Sequence, residues 1–558
     1  MINELIRLGV DYFCIAPGSR STPLAAQVAR NENARHIICY DERSLAFFAL
    51  GYARATGKPA AVIVTSGTAV ANLYPAVVEA AMDRVPMILL TADRPPELHH
   101  VGANQTIRQA RMFGDYVRWF VDVPPDGYAS ERGLLSTVRE AVAKAMGFPK
   151  GVVHLNCMFR EPLLGESSEK SPLVPLLQRG NFFGHPEVRV SAGDLDVVVD
   201  VVKRAENGLV VLGAIRSKEE QRAVVRLCEE LRWPVFADVL SGLRTFSGRE
   251  NIANFDHLLL KGDLFKRMPD VVLQIGGRLV SKRLQAFLDG RAGERHIFVD
   301  NHPDRLDPGH TVTDRVWGDL SLFAGDFCGR LAPSPRPLPL AGEGEELSRY
   351  SQEVERRIDA LLEGESVAHE CGVARAITKH ISDDMGLYLS ASMPIRDMLM
   401  FAKVGAMPHI GANRGASGID GVISSACGFA AGLQKPTTLL IGDLAFLHDS
   451  NGLSLFRSTS VPMTIVVINN QGGGMFHFLP VAKHPDVLTP FVDSPHNFML
   501  KGLCNTFGVA HVRVETQRDF EACYRDALAG QTHRVIEVVS DKARNFTFHE
   551  KMKDAVLR

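Results

Sequence analysis

Two oxygen-bearing side chains follow two apolar segments in the last third of the sequence. Asp443 ends the run LLIGD, Asn470 ends the run TIVVINN, and three glycines, Gly472–Gly474, come shortly after. Hard oxygen ligands of this kind suit Mg²⁺, whose coordination is usually completed by phosphates and water. Glycines let backbone groups approach the same ion or its phosphates. The stretch therefore predicts a metal and diphosphate seat, with Asp443, Asn470 and Gly472 as metal ligands.

These side chains meet only if the two apolar runs are neighbouring parallel strands. A crossover helix over HDSNGLSLFRSTS would join them and bring both strand ends to one edge of the sheet. Open α/β sheets bind their ligands at that edge. Taken by themselves, the residues favour an ordinary Gly/Asn-rich turn after a buried strand, so the predicted site depends on this arrangement.

The wider sequence supports such a sheet. Short Val, Ile and Leu runs alternate with helical stretches along nearly all of the 558 residues. This alternation predicts βαβ units and parallel sheets covered by helices. We expect an α/β fold with three doubly wound parallel-sheet domains. The predicted strands lie in YFCIAPG, HIICYDE, AAVIVTSG, MILLTAD, GVVHLNC, GLVVLGA, WPVFADV, DVVLQIGG, HIFVDNH, LYLSAS, TTLLIGD, MTIVVINN and RVIEVVS.

Two polar stretches divide the chain. One lies near residue 180, and the other is a segment rich in Pro, Gly and Glu over residues 331–348, a composition typical of linkers. The middle strands resemble those of a dinucleotide fold but lack a complete G-x-G-x-x-G fingerprint, so we expect that domain to be a scaffold. The predicted divisions are residues 1–180, 181–335, 336–365 (linker and connecting helix) and 366–558.

Composition excludes several classes of protein. The formal net charge of −2 gives no general attraction for nucleic acid or an anionic membrane. No apolar run has the length of a membrane span, and the N-terminus lacks the features of a signal peptide. The nine cysteines are scattered without a C-x-x-C pair, as expected for buried thiols in a reducing compartment.

The stretch from Gly442 to Gly474 resembles the thiamine-diphosphate motif, in which Gly-Asp is followed one βαβ unit later by Asn-Asn. Leu444 stands where most members of that superfamily carry Gly. The resemblance implies a glutamate in an N-terminal domain that promotes the reactive tautomer of the cofactor across a subunit interface. Glu42, in YDERSL, takes that place. Its plainer interpretation is an acidic residue at a helix start, where the helix dipole favours it.

The resemblance to one family extends along nearly the whole chain. APGSRSTPL, YDERSL, VTSGTAVANLYPAV, LLTADRPPEL, GANQTIRQ, SKRL, SMPIRD and NRGASGIDG occur in order. They resemble the 2-succinyl-5-enolpyruvyl-6-hydroxy-3-cyclohexene-1-carboxylate synthases of menaquinone and phylloquinone biosynthesis, and the motifs are most similar to the cyanobacterial and plant versions. The resemblance implies decarboxylation of 2-oxoglutarate, addition of the resulting succinyl-semialdehyde carbanion to isochorismate, and dependence on thiamine diphosphate and Mg²⁺, with Mn²⁺ as an alternative ion.

The resemblance also implies roles for individual residues. Glu42, Gln105 and Ser392 are the expected catalytic residues. The expected cofactor contacts are Glu42, Ile419, Asp443, Asn470, Gly472, Met475 and Phe476. The expected substrate contacts are Ser19, Arg20, Arg94, Asn104, Gln105, Lys282, Arg283, Ser392, Arg396, Arg414, Phe476 and Leu479. Both substrates are dicarboxylates, which the planar fork of arginine suits. Ser390 and Ala391 replace the Gly-Asn that the family usually has before Ser392.

Other interpretations remain open on the sequence. An acetolactate-synthase-like enzyme or a 2-oxoacid decarboxylase would use the same cofactor on small monocarboxylates, without need of these arginines. A non-catalytic cofactor-binding protein is the alternative from another class. The family implies a homodimer or a dimer of dimers with interfacial active sites, and no nucleic acid or membrane partner. A bacterial chain would be cytoplasmic, and an algal or plant chain would lie in the plastid.

Overall fold

Three parallel sheets form the framework of the protein. The computed structural model describes residues 1–125, 130–164, 187–262, 264–265, 268–290, 295–331 and 343–557. Within these residues the strand orders are β2-β1-β3-β4-β6-β5, β11-β10-β9-β7-β8 and β13-β12-β14-β15-β17-β16. All neighbouring strands in the three sheets run parallel. The predicted α/β fold class is confirmed.

The bounds of the elements follow the chain order. The strands are β1 Tyr12–Ile15, β2 Arg35–Ile38, β3 Ala60–Val64, β4 Met87–Asp93, β5 Trp119–Val123, β6 Val152–Met158, β7 Gly208–Leu212, β8 Val235–Ala237, β9 Val271–Ile275, β10 Arg295–Asp300, β11 Asp314–Trp317, β12 Gly386–Leu389, β13 His409–Ala412, β14 Thr437–Gly442, β15 Met463–Asn469, β16 Ala510–Val514 and β17 Arg534–Val539.

The helices alternate with these strands. They are α1 Ile2–Arg7, α2 Thr22–Ala29, α3 Glu42–Thr56, α4 Thr68–Ala71, α5 Tyr74–Met82, α6 Glu131–Met146, α7 Ala192–Arg204, α8 Lys218–Leu231, α9 Phe255–Leu258, α10 Lys282–Asp289, α11 Leu320–Leu331, α12 Glu343–Glu363, α13 Glu370–His380, α14 Met393–Phe401, α15 Val422–Leu433, α16 Asp443–His448, α17 Pro485–Val487, α18 Leu500–Thr506, α19 Gln517–Ala529 and α20 Lys542–Leu557.

The predicted strands all occur, but four further strands were missed: β5, β11, β13 and β16. Each lies at an edge of its sheet. An edge strand has one neighbour and keeps partly exposed polar residues: β11 alternates half-buried with exposed positions, and β16 has one buried position among exposed and half-buried ones. Central strands such as β3 and β15 are buried along their whole length. Strands covered on both faces read as continuous apolar runs, and that is the signal the sequence carries.

Two local predictions need correction. Glu42 does not end a strand, because β2 stops at Ile38 and Glu42 is the first residue of α3. The Asp41 side chain caps this helix by accepting from the backbone N–H groups of Arg43 and Ser44, a strong helix-start signal. The crossover between β14 and β15 is α16 followed by a 3₁₀ helix over Ser450–Ser458, not one α-helix.

The predicted domain divisions remain predictions. The predicted division near residue 180 lies outside the described residues, and so do residues 332–342 of the predicted linker. The sheets occupy the three segments expected, and α12 lies within the segment predicted to hold the connecting helix.

Helices α3 and α15 join the first sheet to the third. They cross so closely that a Cβ at Gly51 would overlap the carbonyl oxygen of Ser425, and a Cβ at Gly428 would overlap that of Phe48. Glycine costs helix stability by itself, so both glycines are explained by this contact. The surrounding core contains residues from both sheets, including Val62 of β3 and Ile465 of β15.

Enlarging either glycine should therefore loosen the contact between these two helices. We expect Gly428→Ala to destabilise the protein by about 1–3 kcal/mol, since overpacking a filled interface forces the backbone to shift. The midpoint of thermal unfolding measures this. Gly325→Ala is the matched control, because that position in α11 has open space for a Cβ and alanine there should stabilise the helix by about 0.5–1 kcal/mol. Equal effects of the two substitutions would contradict the close packing.

Candidate active site

The end of β14 and the turn after β15 lie together, as predicted. Asp443 is buried, with 2% of its surface exposed. Its Oδ2 accepts a hydrogen bond from the backbone N–H of Gly472 at 3.0 Å, and its Oδ1 accepts from that of Leu444 at 2.6 Å. β14 and β15 pair along their whole length up to this edge. Asp443 is therefore in contact with the turn that follows Asn470, whereas the predicted proximity of Asp443 to Asn470 itself stays a prediction.

The two asparagines at the end of β15 have different partners. Asn469 donates from Nδ2 to Oε1 of Glu537 at 2.7 Å, and its Oδ1 accepts from the backbone of Gln471 at 3.2 Å. Asn470 donates from Nδ2 to Oε1 of Glu370 at 3.0 Å, while its Oδ1 is buried without a hydrogen-bond partner. Asn470 is thus the asparagine with an oxygen available to a ligand.

This oxygen set fits Mg²⁺. Buried polar atoms nearly always find a partner, so Oδ1 of Asn470, which has none among the described residues, is an atom that a bound cation would satisfy. Burial raises the pKa of Asp443, an effect that a nearby cation opposes. Gly472 has φ of +144°, and a Cβ there would press on the carbonyl oxygen of Asp493. Only glycine suits that backbone, which lets the chain approach the carboxylate.

A loop after the glycine turn covers this seat. His496 Nε2 lies 3.2 Å from Oδ2 of Asp443, and both side chains are buried. The carbonyl oxygen of Asp493 accepts from the backbone of Gly473 at 2.6 Å, and its carboxylate accepts from Lys542 Nζ at 2.6 Å. The sequence analysis missed His496, because nothing in its neighbours distinguishes it from the other histidines of this chain.

Glu370 is a second residue that the sequence analysis missed. It begins α13 and is 3% exposed. Besides Asn470, it accepts a hydrogen bond from Oγ of Ser540 at 3.2 Å. Burial, with the nearby Asp397 carboxyl, raises the pKa of Glu370 to about 8. Glu370 and Asn470 are 100 residues apart in the sequence, so no local pattern predicts their contact. In the sequence Glu370 has only the features of an acidic residue at a helix start.

A second group of predicted residues lies at the carboxyl edge of the first sheet. Arg20 follows β1 and donates to the carbonyl oxygen of Phe159 at 3.0 Å. Arg94 follows β4 and donates to Oγ of Ser66 and to the carbonyl oxygen of Gln105 at 3.1 Å. Burial lowers the pKa of Arg94, and the positive charge of Arg20 lowers it further. Arg20 and Arg94 are therefore close to each other, but Nη2 of Arg20 also lies 3.1 Å from the exposed Glu161 carboxylate, which balances part of the positive charge.

The remaining predicted residues of this group lie on loops at its surface. Gln105 has φ of +57°, and its Nε2 donates to the carbonyl oxygen of Ser66 at 2.9 Å. A Cβ at Gly67 would press on the Gln105 side chain at 2.9 Å, so that glycine makes room for it. Ser19 and Asn104 are exposed. Loop residues placed by a rigid sheet are where binding groups are usually found.

A third group comes from the third sheet. Arg396 donates to the carbonyl oxygen of Ser392 at 2.5 Å and lies 3.1 Å from Sδ of Met475. Burial lowers the pKa of Arg396, and the charge of Arg414 lowers it further. The structure thus brings Ser392, Met475 and Arg396 together, and it holds a second pair of guanidinium groups near each other.

The loop that carries Arg414 is held by the first domain. The two carboxylate oxygens of Glu79 accept from the backbone N–H groups of Gly415 at 2.8 Å and Ala416 at 2.6 Å. Ile419, further along this loop, is 39% exposed. A Cβ at Gly421 would overlap the ring of Phe47 in α3. The loop therefore packs against the helix that begins at Glu42.

Glu42 is half-buried at the start of α3, and Asn72 Nδ2 lies 3.5 Å from its Oε2. Its neighbours touch the end of α16: Arg43 donates to the carbonyl oxygen of His448 at 3.0 Å, and Asn451 donates to Asp41 at 3.1 Å. The chain thus holds the Glu42 end of α3 against the helix that starts at Asp443. These contacts do not include the Glu42 carboxylate itself.

Three domain families match the chain in order. Residues 1–112 match the N-terminal TPP-binding domain of thiamine pyrophosphate enzymes, residues 198–389 match their middle domain, and residues 400–538 match their C-terminal TPP-binding domain. The 2-succinyl-5-enolpyruvyl-6-hydroxy-3-cyclohexene-1-carboxylate synthase of Rubrobacter xylanophilus is 44% identical over 99% of this chain and 96% of its own length. The chain belongs to this synthase family.

Other members of the synthase family show the same relation. The protein of that name from Pelodictyon phaeoclathratiforme is 41% identical over 99% of this chain and 94% of its own length. An X-ray structure assigned as a thiamin diphosphate-dependent enzyme from Mycobacterium smegmatis aligns with a TM-score of 0.71 over 97% of this chain and 98% of that chain, at 19% identity. That structure supports the three-sheet fold. Within the described residues, no helix of this synthase combines the length and apolarity needed to cross a membrane.

The predicted residues of this synthase not yet described lie in two places, the turn after β15 and the middle domain. Phe476 lies in a 3₁₀ helix over Gly474–Phe478, and Leu479 follows it. Lys282 is exposed at the start of α10, whereas the guanidinium of Arg283 is paired with the Asp256 carboxylate. Arg283 therefore has a structural partner that its position in the sequence did not suggest.

The metal seat can be tested by removing its carboxylate. Loss of an outer-shell partner typically weakens metal binding by about 10–100-fold, and a direct ligand contributes more. We therefore expect Asp443→Ala to weaken Mg²⁺ binding in the presence of thiamine diphosphate by roughly 100-fold, measured by titration calorimetry. Asp554→Ala, at an exposed position in α20, is the control and should bind Mg²⁺ normally. Unchanged affinity in Asp443→Ala would exclude it as a ligand.

Proposed function

We propose that this synthase decarboxylates 2-oxoglutarate and adds the resulting four-carbon unit to isochorismate, giving 2-succinyl-5-enolpyruvyl-6-hydroxy-3-cyclohexene-1-carboxylate for menaquinone or phylloquinone biosynthesis. The observation that carries the proposal is the 44% identity, over nearly full length, with a synthase of that name. The arrangement of Asp443 and the glycine turn, and the arginines at the edges of the first and third sheets, support it. Bound thiamine diphosphate supplies the nucleophilic carbon and the electron sink for this chemistry.

The metal seat would hold the ion and the diphosphate of the cofactor. Asp443, Asn470 and the backbone at Gly472 would supply hard oxygen ligands, and the buried Oδ1 of Asn470 has no partner among the described residues. Met475, Phe476 and Ile419 would pack against the rings of the cofactor. Glu42, the first residue of α3, would hold a proton at the pyrimidine ring of a cofactor bound by the other subunit.

The arginines would bind the substrate carboxylates. Arg20 lies close enough to Arg94 to lower its pKa, and Arg414 does the same to Arg396. Glu161 beside Arg20 and Asp397 near Arg396 balance only part of this positive charge, so an anion bound between the arginines of each pair would be stabilised. A dicarboxylate satisfies such pairs, and arginine can bind each carboxylate through two parallel N–H groups. A monocarboxylate such as pyruvate would leave part of this charge unpaired.

Several polar residues would then orient the substrates. Ser392 immediately precedes α14 and has φ of +74°, a conformation that L residues rarely adopt without a local reason. Its backbone carbonyl binds Arg396, so its hydroxyl and the guanidinium belong to one rigid unit. The loops of the first domain would supply further hydrogen bonds to the substrates from Ser19, Asn104 and Gln105. Phe476 and Leu479 would form the apolar wall, and Lys282 and Arg283 would contribute from the middle domain.

We further propose that the synthase is at least a homodimer, with each active site shared between two subunits. The described surface carries large exposed apolar side chains near the ends of the first and third sheets, namely Ile38, Tyr40, Phe491, Phe498 and Met499. Such a set at a surface is typical of an interface. Glu42 of one subunit would then face the metal seat of the other.

The reaction is tested by product formation with purified protein, thiamine diphosphate and Mg²⁺. With 2-oxoglutarate and isochorismate together we expect steady carbon dioxide release and formation of the cyclohexene carboxylate. With 2-oxoglutarate alone we expect little turnover, and with pyruvate none. Turnover of pyruvate in preference to 2-oxoglutarate would instead support an acetolactate-synthase-like enzyme.

Glu42 is tested by a substitution that keeps its size. Glu42→Gln should bind thiamine diphosphate and Mg²⁺ normally but lose about 10²–10⁴-fold in kcat, the usual contribution of a positioned proton-transfer group. Mixing this variant with Asp443→Ala, then exchanging subunits, should restore about a quarter of wild-type activity, because a hybrid dimer has one intact site. No recovery in proven hybrid dimers would place both residues in one subunit's site.

The proposed role of the arginine pairs predicts that loss of one arginine impairs the use of the dicarboxylate substrates. Arg94→Ala should lower kcat/KM for 2-oxoglutarate or isochorismate by about 10–100-fold, since a charged hydrogen bond contributes about 1.5–3 kcal/mol. Cofactor affinity should remain unchanged. Arg132→Ala, at an exposed position of α6 in the same domain, is the control. An equal loss in both variants, or a loss of cofactor binding in Arg94→Ala, would contradict a role at the substrate.

A further inference from the structure

The contact between Glu370 and Asn470 determines which end of the asparagine amide faces the metal seat. Oε1 of Glu370 accepts from Nδ2 of Asn470 at 3.0 Å and from Oγ of Ser540 at 3.2 Å. An amide has one donor end and one acceptor end, and they look alike in shape. A partner that accepts from the donor end fixes the direction of the acceptor end.

We propose that Glu370 is a positioning residue that holds the amide of Asn470 with its Oδ1 directed into the metal seat. The proposal rests on the proposed function, in which Asn470 is a ligand of Mg²⁺. It goes beyond that function by assigning the orientation of the ligand to a residue from α13, about one hundred residues away along the chain. Outer-shell partners of this kind orient metal ligands in many sites.

The opposite amide orientation is unfavourable for two reasons. First, a flipped amide would bring Oδ1 of Asn470 against an oxygen of Glu370 that already accepts from Ser540. Second, it would direct N–H donors towards the cation, where an oxygen is needed. In the observed orientation, Nδ2 is satisfied and the buried Oδ1 is the atom left without a partner. The geometry therefore leaves one atom of the amide for the ion.

Neighbouring residues leave Glu370 little freedom to move. It is 3% exposed at the start of α13, and the next residue, Cys371, is completely buried. Ser540 follows β17, the strand next to β15 in the sheet, so Glu370 is bound from both strands. A buried carboxyl is costly unless its hydrogen bonds are made, and burial raises the pKa of Glu370. Retention of such a group is explained if it has a task that an apolar residue cannot perform.

The experiment exchanges the carboxyl group of Glu370 and the amide group of Asn470 between the two positions. In Glu370→Gln with Asn470→Asp, the glutamine can donate to an aspartate, which offers an oxygen to the metal in either orientation. We expect Glu370→Ala to weaken Mg²⁺ binding by about 10–100-fold and Asn470→Asp alone to weaken it as well, because two carboxyl groups then face each other. The double exchange should return Mg²⁺ affinity to within a few-fold of wild type. Titration of Mg²⁺ into full-length protein with saturating thiamine diphosphate measures each value by calorimetry.

Controls separate positioning from folding. Thermal unfolding without metal reports the stability of each variant, and Glu370→Gln, which keeps the size and an acceptor oxygen, provides a folded variant if Glu370→Ala does not fold. Ser540→Ala removes the other donor to Glu370 and should change Mg²⁺ affinity less than Glu370→Ala. A double exchange that binds Mg²⁺ no better than its two single substitutions combined would overturn the proposal.

The same titrations distinguish a failure of this inference from a failure of the proposed metal seat. If Asp443→Ala and Asn470→Ala weaken Mg²⁺ binding while Glu370→Ala does not, the seat stands and the role of Glu370 is wrong. If Asp443→Ala and Asn470→Ala both bind Mg²⁺ as wild type does, the seat itself is wrong, and the inference fails with it.

Discussion

The close crossing of α3 and α15 is the contact on which the candidate active site depends. Gly51 and Gly428 allow the two backbones to touch, and this joins the first sheet to the third. Glu42 begins one of these helices, and the loop carrying Arg414 and Ile419 leads into the other. In the proposed dimer each active site combines Glu42 of one subunit with the metal seat of the other, so within each subunit these two parts must be held firmly relative to each other. Helix packing provides that rigidity, whereas the loops alone would not.

Burial of unbalanced charge is the second feature that organises the site. Asp443 and Glu370 lie buried on the metal side, while Arg94 and Arg396 each lie near another arginine on the substrate side. Glu161 beside Arg20 and Asp397 near Arg396 balance part of the positive charge, and a bound ion of opposite charge would balance more. Buried charges without full partners are typical of sites that bind charged ligands. In the proposed function, the acidic groups are the ones that would meet the cation, and the arginines are the ones that would meet the substrate carboxylates.

The sequence predicted the centre of each sheet better than its edges. β3, β4, β14 and β15 are covered on both faces and read as continuous apolar runs, whereas β5, β11, β13 and β16 have one neighbour each. An edge strand is stabilised by pairing with its neighbour more than by its own composition, so its pattern is weak. The start of α3 was misplaced for a related reason, because the apolar run through β2 continues into the residues before the Asp41 cap.

Residue order by itself determined the fold class, the family and the identity of the predicted ligands, because those depend on periodicity and on short motifs with fixed spacing. Only the tertiary structure decided which asparagine has a free oxygen. Asn469 and Asn470 are adjacent in sequence, but strand geometry directs one to Glu537 and the other to Glu370. Those partners come from distant segments, as do Asp256 for Arg283 and His496 for Asp443. A contact between residues far apart in the chain is created by folding, so no local pattern could reveal it.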